Sequence, residues 1–444
     1  MGSSQVNSVA KHRRTTASSV RGRLTGHRDL LFGSISLMGT TIVTSLGGFI
    51  LWVVVARLFP STEVGHASAI VSAVTFLSVI GVFGFGTVLI GQLAVDPERA
   101  DPLLPAALDV SMVLSGILAA AFALIVHLLP NSGLNHSFGG HWTTYAIFIV
   151  GVAVSTGGLV IDQATIGLSA GNIQWLRNVV MPLLCLPGTV VLGMTLGRTA
   201  DSVLIAWTGA VIISIAVIAW PMSRRGAPFM RLRSPRHLSG LVMHTVHHNT
   251  LNISLSVPRL AMPIVVATYA PGTTTAVFYV CWMIASFLYM IPSHLSTVLY
   301  AVARGDSAAL RKKLQFTLPT TIVVGVIAVP AIALLAHPLL LIFGRKYADT
   351  GAPTLALLAL MYFPFIVKLH YAAISRVRGD VRRASLICAL GAIVEIGSVV
   401  LTLRQGGDIA HLAVALNIVL FLEAIPLLPV LLSALRQVHL PVYS

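Results

Sequence analysis

Charge is scarce in this chain, and acidic charge most of all. Of 444 residues, 10% are Asp, Glu, Lys or Arg, and only 14 are Asp or Glu. An average soluble domain carries roughly 25% charged residues, so this composition cannot cover a water-exposed surface. Cysteine is nearly absent: Cys185, Cys281 and Cys388 each sit in an apolar stretch, with neither pairing nor metal-ligand spacing. That excludes a disulfide scaffold and reads as small core hydrophobes. Long polar connections are missing too. The longest, 223–240, is too short for a domain, so there is no lobe to hold a nucleotide fold. A Walker-type phosphate loop is absent, which argues against direct ATP use, and no cofactor is expected.

What the chain does have is apolar residues in long blocks. They make up 56% of the sequence, and the mean hydropathy is +0.88. A bilayer crossing takes about 20 apolar residues. Blocks of that length fall at 32–55, 64–93, 107–129, 142–168, 179–196 and 202–222, then at 241–269, 274–302, 314–343, 353–375, 384–403 and 409–432. Backbone in lipid must satisfy its own hydrogen bonds, so these read as helices. The expectation is an all-α, polytopic membrane protein of about twelve transmembrane helices. Its parts are a basic, disordered tail (1–29), a first six-helix bundle (30–222), a basic linker (223–240), a second six-helix bundle (241–432) and a short C-terminus (433–444). The first apolar block is longer than the core of a signal peptide, about 7–15 residues, so no cleavage is expected.

Lys and Arg together number 29, and their distribution orients the bundle. With the N-terminus inside, the outer loops hold Arg57, Arg198, Arg345, Lys346 and Arg404. Nearly all the rest fall on the inner side: the tail, Arg99, Arg177, the central linker, the 304–313 and 376–383 connections, and Arg436. By the positive-inside rule both termini face the cytoplasm, as expected for a multi-pass protein of the plasma membrane. The net charge of +15 is thereby a topology signal, and no nucleic-acid partner is implied.

Two sequence matches suggest a duplication. Pro60, in Leu58-Phe59-Pro60-Ser61-Thr62-Glu63-Val64-Gly65, corresponds to Pro271, in Tyr269-Ala270-Pro271-Gly272-Thr273-Thr274. Gly171 of Ala170-Gly171-Asn172 corresponds to Gly379 of Arg378-Gly379-Asp380. The two separations are nearly equal and close to half the chain, as pseudo-symmetric bundles rocking about a midplane site require. In this register Asp162 lies opposite His370.

The run Ala56-Arg57-Leu58-Phe59-Pro60, Glu63-Val64-Gly65, Ser68, Ser72 and Gly81-Val82-Phe83-Gly84-Phe85-Gly86 resembles the start of polysaccharide-type lipid-linked glycan flippases. These form part of the multidrug/oligosaccharidyl-lipid/polysaccharide exporter superfamily. Phe343-Gly344-Arg345-Lys346-Tyr347 and Arg376-Val377-Arg378-Gly379-Asp380 extend the resemblance, which covers about 31–432. The resemblance implies translocation of a polyprenyl-pyrophosphate-linked oligosaccharide or polysaccharide precursor for cell-envelope synthesis. The lipid II branch usually has fourteen spans, and the count here argues against it.

An ionisable residue inside a span is expensive, about 2.5–3.5 kcal/mol even on lenient scales. Arg259 and Lys368 are the candidate contacts for an anionic headgroup, Arg259 near mid-bilayer; the alternative for each is a carboxylate partner that ties helices together. Glu395, Glu423 and Asp162 are the candidates for coupling to H⁺ or Na⁺, against the alternative of neutral interhelical acids. His244, His247 and His248 carry no accompanying carboxylate, so no metal site is assigned. The glycines from Gly81 to Gly86 read as helix packing, and the intramembrane prolines, among them Pro258, as kinks. The primary reading is a flippase working by alternating access, with a lipid-linked glycan and the bilayer as partners. The alternatives are an ion-coupled drug or metabolite antiporter and, from another class, a polytopic glycan polymerase or ligase. Short outer loops with few acids (Glu63, Asp201, Asp349, Asp408) disfavour the enzyme. The sequence does not fix an oligomeric state, and a monomer satisfies it.

Overall fold

A computed structural model describes residues 44–229, 242–303 and 307–436. The expected tail, most of the linker, the end of the chain beyond 436 and the side chains of His244, His247 and His248 lie outside the described residues. Among those residues every regular element is helical. Eleven helices are long and apolar enough to cross a membrane, and a shorter apolar one, α1 (Thr44–Leu58), precedes them. This is a multi-pass membrane protein.

The first half continues with α2 (Ser61–Gly81), α3 (Phe85–Val95), α4 (Ala100–His127), a short α5 (Gly133–Ser137), α6 (Trp142–Gly167), α7 (Gly171–Thr195) and α8 (Ala200–Arg224). The second half holds α9 (Val242–Tyr269), α10 (Gly272–Ala303), α11 (Ser307–Leu341), α12 (Arg345–Leu360), α13 (Tyr362–Arg378), α14 (Val381–Arg404) and α15 (Ile409–Arg436). Large apolar side chains such as Leu183, Val326, Ile327 and Leu334 remain exposed. They belong in lipid, where exposure carries no hydrophobic penalty.

Three expectations need correction. The span at 64–93 is two helices. Gly84 at φ +83° and Phe83 at φ +49° break it, since a left-handed pair cannot continue a right-handed helix. The glycines here therefore do more than pack, although Gly81 does pack: a Cβ on it would lie 2.4 Å from the Ser115 Cβ. The span at 353–375 starts earlier and is also divided, α12 giving way to α13 at Met361, so Arg345 and Lys346 open a helix. Lastly, Arg177, counted among the inner-loop residues, lies inside α7 and is 7% exposed. The charge bias does not depend on that one residue.

The two halves join through α2, which packs on both α9 and α10. Among its buried residues are Gly65, Ala67, Ser68, Ala69, Ser72 and Ala73, and small side chains let helices approach closely. The contact is closest where the two repeat motifs meet, for a Cβ on Gly65 would fall 1.8 Å from the Gly272 carbonyl oxygen. Nearby, Arg57 donates to the backbone oxygens of Leu341 (2.6 Å) and Ile342 (2.8 Å). Lys346 donates to the Ser61 hydroxyl at 3.0 Å. Rings from the two halves interlock at this level, Trp52 on Tyr279 at 4.6 Å and Phe49 on Phe343 at 5.3 Å. One hydrophobic cluster runs through both halves here. At the opposite end the core divides, one cluster in the first half around Leu89, Leu104 and Ile218, another in the second around Leu251, Leu310 and Leu431.

Two helix starts are held by acidic side chains. Glu63 accepts from the Ala200 N–H at the start of α8 (2.8 Å). Asp408 precedes α15 and accepts from the backbone N–H groups of Ala410 and His411, both at 2.9 Å. The His411 N–H holds the Asp408 carboxyl below its ordinary range. A depressed folded value contributes stability above the unfolded value and loses it as the carboxylate protonates, here below roughly pH 4. Asp408→Ala is expected to cost about 1 kcal/mol at neutral pH and less in acid, as thermal unfolding at the two pH values would show.

Candidate functional site

Each half contains a buried ionic cluster. In the first, Asp162 on α6 and Arg177 on α7 form a two-pronged pair. The Arg177 Nε donates to Asp162 Oδ1 at 2.7 Å, and a terminal nitrogen donates to Oδ2. Asn178 donates to Asp162 Oδ2 at 3.4 Å and to the Gln174 carbonyl at 2.9 Å. Gly158 makes room for the guanidinium, because a Cβ there would sit 2.9 Å from it. The charges balance, and fork-on-carboxylate geometry is the strong form of this pairing.

In the second half Lys368 on α13 donates to Glu395 on α14 and, at 2.8 Å, to Glu423 on α15. Lys368 and Glu395 are 4% and 6% exposed. Glu423 Oε1 is buried and has no partner among the described residues. Gly391, one turn before Glu395, opens the space for the Glu423 carboxylate, which a Cβ would meet at 2.7 Å. One ammonium faces two carboxylates, so the fully ionised cluster has a surplus negative charge in a site where isolated charge is costly.

The halves are alike in plan and opposite in polarity. The fourth and fifth spans of each are tied by an ion pair, acid before base in the first half and base before acid in the second.

Between the halves lies a cavity of about 190 Å³, lined by Ser72 and Thr75 of α2, Trp207 of α8, Arg259 and Pro263 of α9, and Trp282 of α10. Arg259 is exposed to this space although it sits in the middle of α9, and among the described residues it has no ion pair. Trp282 fixes the backbone beside it, its indole N–H donating to the Arg259 carbonyl at 3.0 Å. A smaller pocket shares Arg259 and Trp282 with this cavity and reaches Lys368 and Glu395. On the other side, a third cavity of about 230 Å³ shares Thr75 and Trp207 with it and extends to Arg177 and Asn178. The three form one series across the molecule.

The structure therefore gathers Arg259, Lys368, Glu395 and Glu423 around one end of the series and places Asp162 near the other. Lys368 takes the carboxylate-paired arrangement, and Arg259 does not. Sequence reading missed Arg177, Trp207 and Trp282. A signal for the first was present: Asp162 and Arg177 are nearly equidistant from the turn at Ser169–Ala170, so an antiparallel helix pair brings them face to face. No group of His, Cys, Asp and Glu among the described residues could hold a metal ion.

No family profile matches the sequence, and no curated protein does. Solved structures do. An inward-facing MATE-family multidrug resistance transporter of the MOP superfamily superposes with a TM-score of 0.67 at 14% identity, over 91% of this chain and 98% of that one. An outward-facing conformation of such a transporter gives 0.57 at 15% identity, over 91% and 95%. A MOP-superfamily transporter from Pyrococcus furiosus, described as having a binding pocket of reversed polarity, gives 0.54 at 14% identity, over 91% and 95%. These likenesses show a shared architecture and do not select the polysaccharide-type branch. The chain has the fold of the MATE transporters of the MOP superfamily.

Proposed function

We propose that this protein is a secondary transporter that exchanges an organic anion against a cation by alternating access. The observation that carries the reading is Arg259, an unpaired guanidinium facing a cavity between two halves. A free cation at membrane depth attracts an anionic group and repels a cationic drug, and guanidinium suits carboxylate and phosphate oxygens. The division of the core supports alternating access. The halves are locked together at the end bearing Gly65 and Gly272 and have separate cores at the other. With the termini cytoplasmic, as the basic residues suggest, this arrangement is closed to the outside.

Coupling is assigned to the second half. The Asp162–Arg177 pair is balanced and offers no vacancy for a cation. The Lys368–Glu395–Glu423 cluster has a surplus carboxylate, with Glu423 Oε1 free to take a proton or to face Na⁺. Loading that carboxylate neutralises the cluster and releases Lys368 from one of its two partners. Through the pocket shared with Arg259, this changes the field at the anion site.

The lipid-linked glycan reading stands second. It rests on the sequence resemblance and on the same cationic cavity, which suits a pyrophosphate. Its requirement is that the lipid tail stay in the bilayer while the head crosses.

The test is flux in proteoliposomes with an imposed pH or Na⁺ gradient. The substrates are a fluorescent organic phosphate, a cationic dye and a polyprenyl-pyrophosphate glycan read by leaflet accessibility. Arg259→Gln is expected to reduce anion flux about tenfold, the loss of one charged hydrogen bond, and Glu423→Gln to make flux indifferent to the cation gradient. Transport of the dye alone, unaffected by Arg259→Gln, would overturn the anion reading. Movement of the glycan alone would favour the flippase.

A further inference from the structure

The cavity in the first half differs in chemistry from the one that holds Arg259. Its walls are mainly apolar, with Leu51, Val74, Leu159 and Met181 among them. Two polar atoms on this lining are buried without a partner, the Ser155 hydroxyl and the indole N–H of Trp207. A buried donor left unmade costs about 1–3 kcal/mol, so an acceptor that reached the Trp207 indole N–H would gain from the contact. Trp207 stands at the opening between this chamber and the Arg259 cavity, lining both. At about 230 Å³ the chamber is larger than the engineered apolar cavity of about 150 Å³ that holds a benzene molecule. It would take one to two small rings or isoprene units, and a long lipid chain would not fit.

We propose that this chamber binds the apolar body of an amphiphilic organic anion whose charged group meets Arg259, with the Trp207 indole N–H donating to an ester or ether oxygen between the two. This rests on the anion reading above and deepens it by setting the size and polarity of the substrate. The positive group lies on one side of Trp207 and the apolar wall on the other, and an amphiphile complements that order. The Arg177 guanidinium at the far side of the chamber is already satisfied by Asp162, so it does not draw the charged head inward.

The structure offers a clean way to fill the chamber. Gly48 of α1 lines it, and a Cβ on Gly48 meets nothing within 4 Å. Gly48→Ala, Gly48→Val and Gly48→Leu should progressively occupy the space while keeping the helix. The experiment is equilibrium binding to the purified full chain in nanodiscs, with empty nanodiscs subtracted. The probes are inorganic pyrophosphate and isoprenyl diphosphates of one to four isoprene units. For the wild type, affinity should rise from pyrophosphate to the two-unit chain and rise no further beyond it. Gly48→Leu should weaken the two-unit probe about tenfold, by removing most of its apolar burial, and leave pyrophosphate within about twofold. Trp207→Phe should weaken the two-unit probe about fivefold, the worth of one hydrogen bond. The one-unit probe should suffer less from Gly48→Val than the two-unit probe, a size dependence that a folding defect would not produce. Equal affinities for pyrophosphate and every chain length, unchanged by Gly48→Leu, would overturn the proposal. Binding that responds to Gly48 and not to Arg259→Gln would leave the chamber and remove the anion site.

Discussion

Lys368→Met is expected to destabilise the protein by about 3–5 kcal/mol, the cost of removing one partner from a buried ionic cluster. Among the described residues the lysine is the only cation bonded to Glu395 and Glu423, and its loss leaves two carboxylates facing each other across α14 and α15. Neither can turn to water easily, since Glu395 is 6% exposed and Glu423 Oε1 is buried. The thermal midpoint of the purified variant against wild type reads the effect. A triple variant, Lys368→Met with Glu395→Gln and Glu423→Gln, should recover most of the loss, because neutral amides of the same shape need no counter-charge. A midpoint unchanged by Lys368→Met would mean that water reaches both carboxylates, and the coupling role assigned to the cluster would fall with it.

Gly65→Val is expected to prevent closure at the end where the repeat motifs meet. The added Cβ would be 1.8 Å from the Gly272 oxygen and 2.6 Å from its carbon. Both are backbone atoms held in α10, so the obstacle cannot rotate away. Overpacking of this kind costs about 1–3 kcal/mol, and that energy bears only on the closed state. The closed population should shrink roughly 5- to 150-fold, with the protein still folded because each half has a separate core at the opposite end. A cysteine pair at Ser61 and Lys346, whose side chains touch across the halves, reads the closure directly. The pair should cross-link in the wild-type background and fail to do so with Gly65→Val, and transport should fall in parallel. Gly91→Ala is the control, since a Cβ there meets nothing within 4 Å. Undiminished cross-linking in Gly65→Val would show that α2 and α10 are not the closing contact.

The candidate site was partly legible and partly hidden, for reasons that differ residue by residue. Lys368, Glu395 and Glu423 declare themselves because a charge within an apolar block stands out in one dimension. Arg177 did not, because polar neighbours from Asn172 to Asn178 make its helix begin like a loop, and only the carboxylate of Asp162 across the hairpin lets it lie inside. Trp207 and Trp282 carry no charge and look like any apolar span residue. What marks them is where their indole N–H groups point.

The sequence by itself determined the class, the number and the approximate limits of the spans, because hydropathy along the chain is the quantity the bilayer selects. It also suggested a plan of two related halves, at Pro60 and Pro271. The tertiary structure decided which charges find partners, that the two ion pairs run in opposite order, that α2 is the shared wall between the halves, and that Arg259 faces a cavity rather than a carboxylate. Pairing depends on distance between helices far apart in the chain, and a buried charge costs little or much according to what stands within about 4 Å of it. That distance is not written in the order of residues.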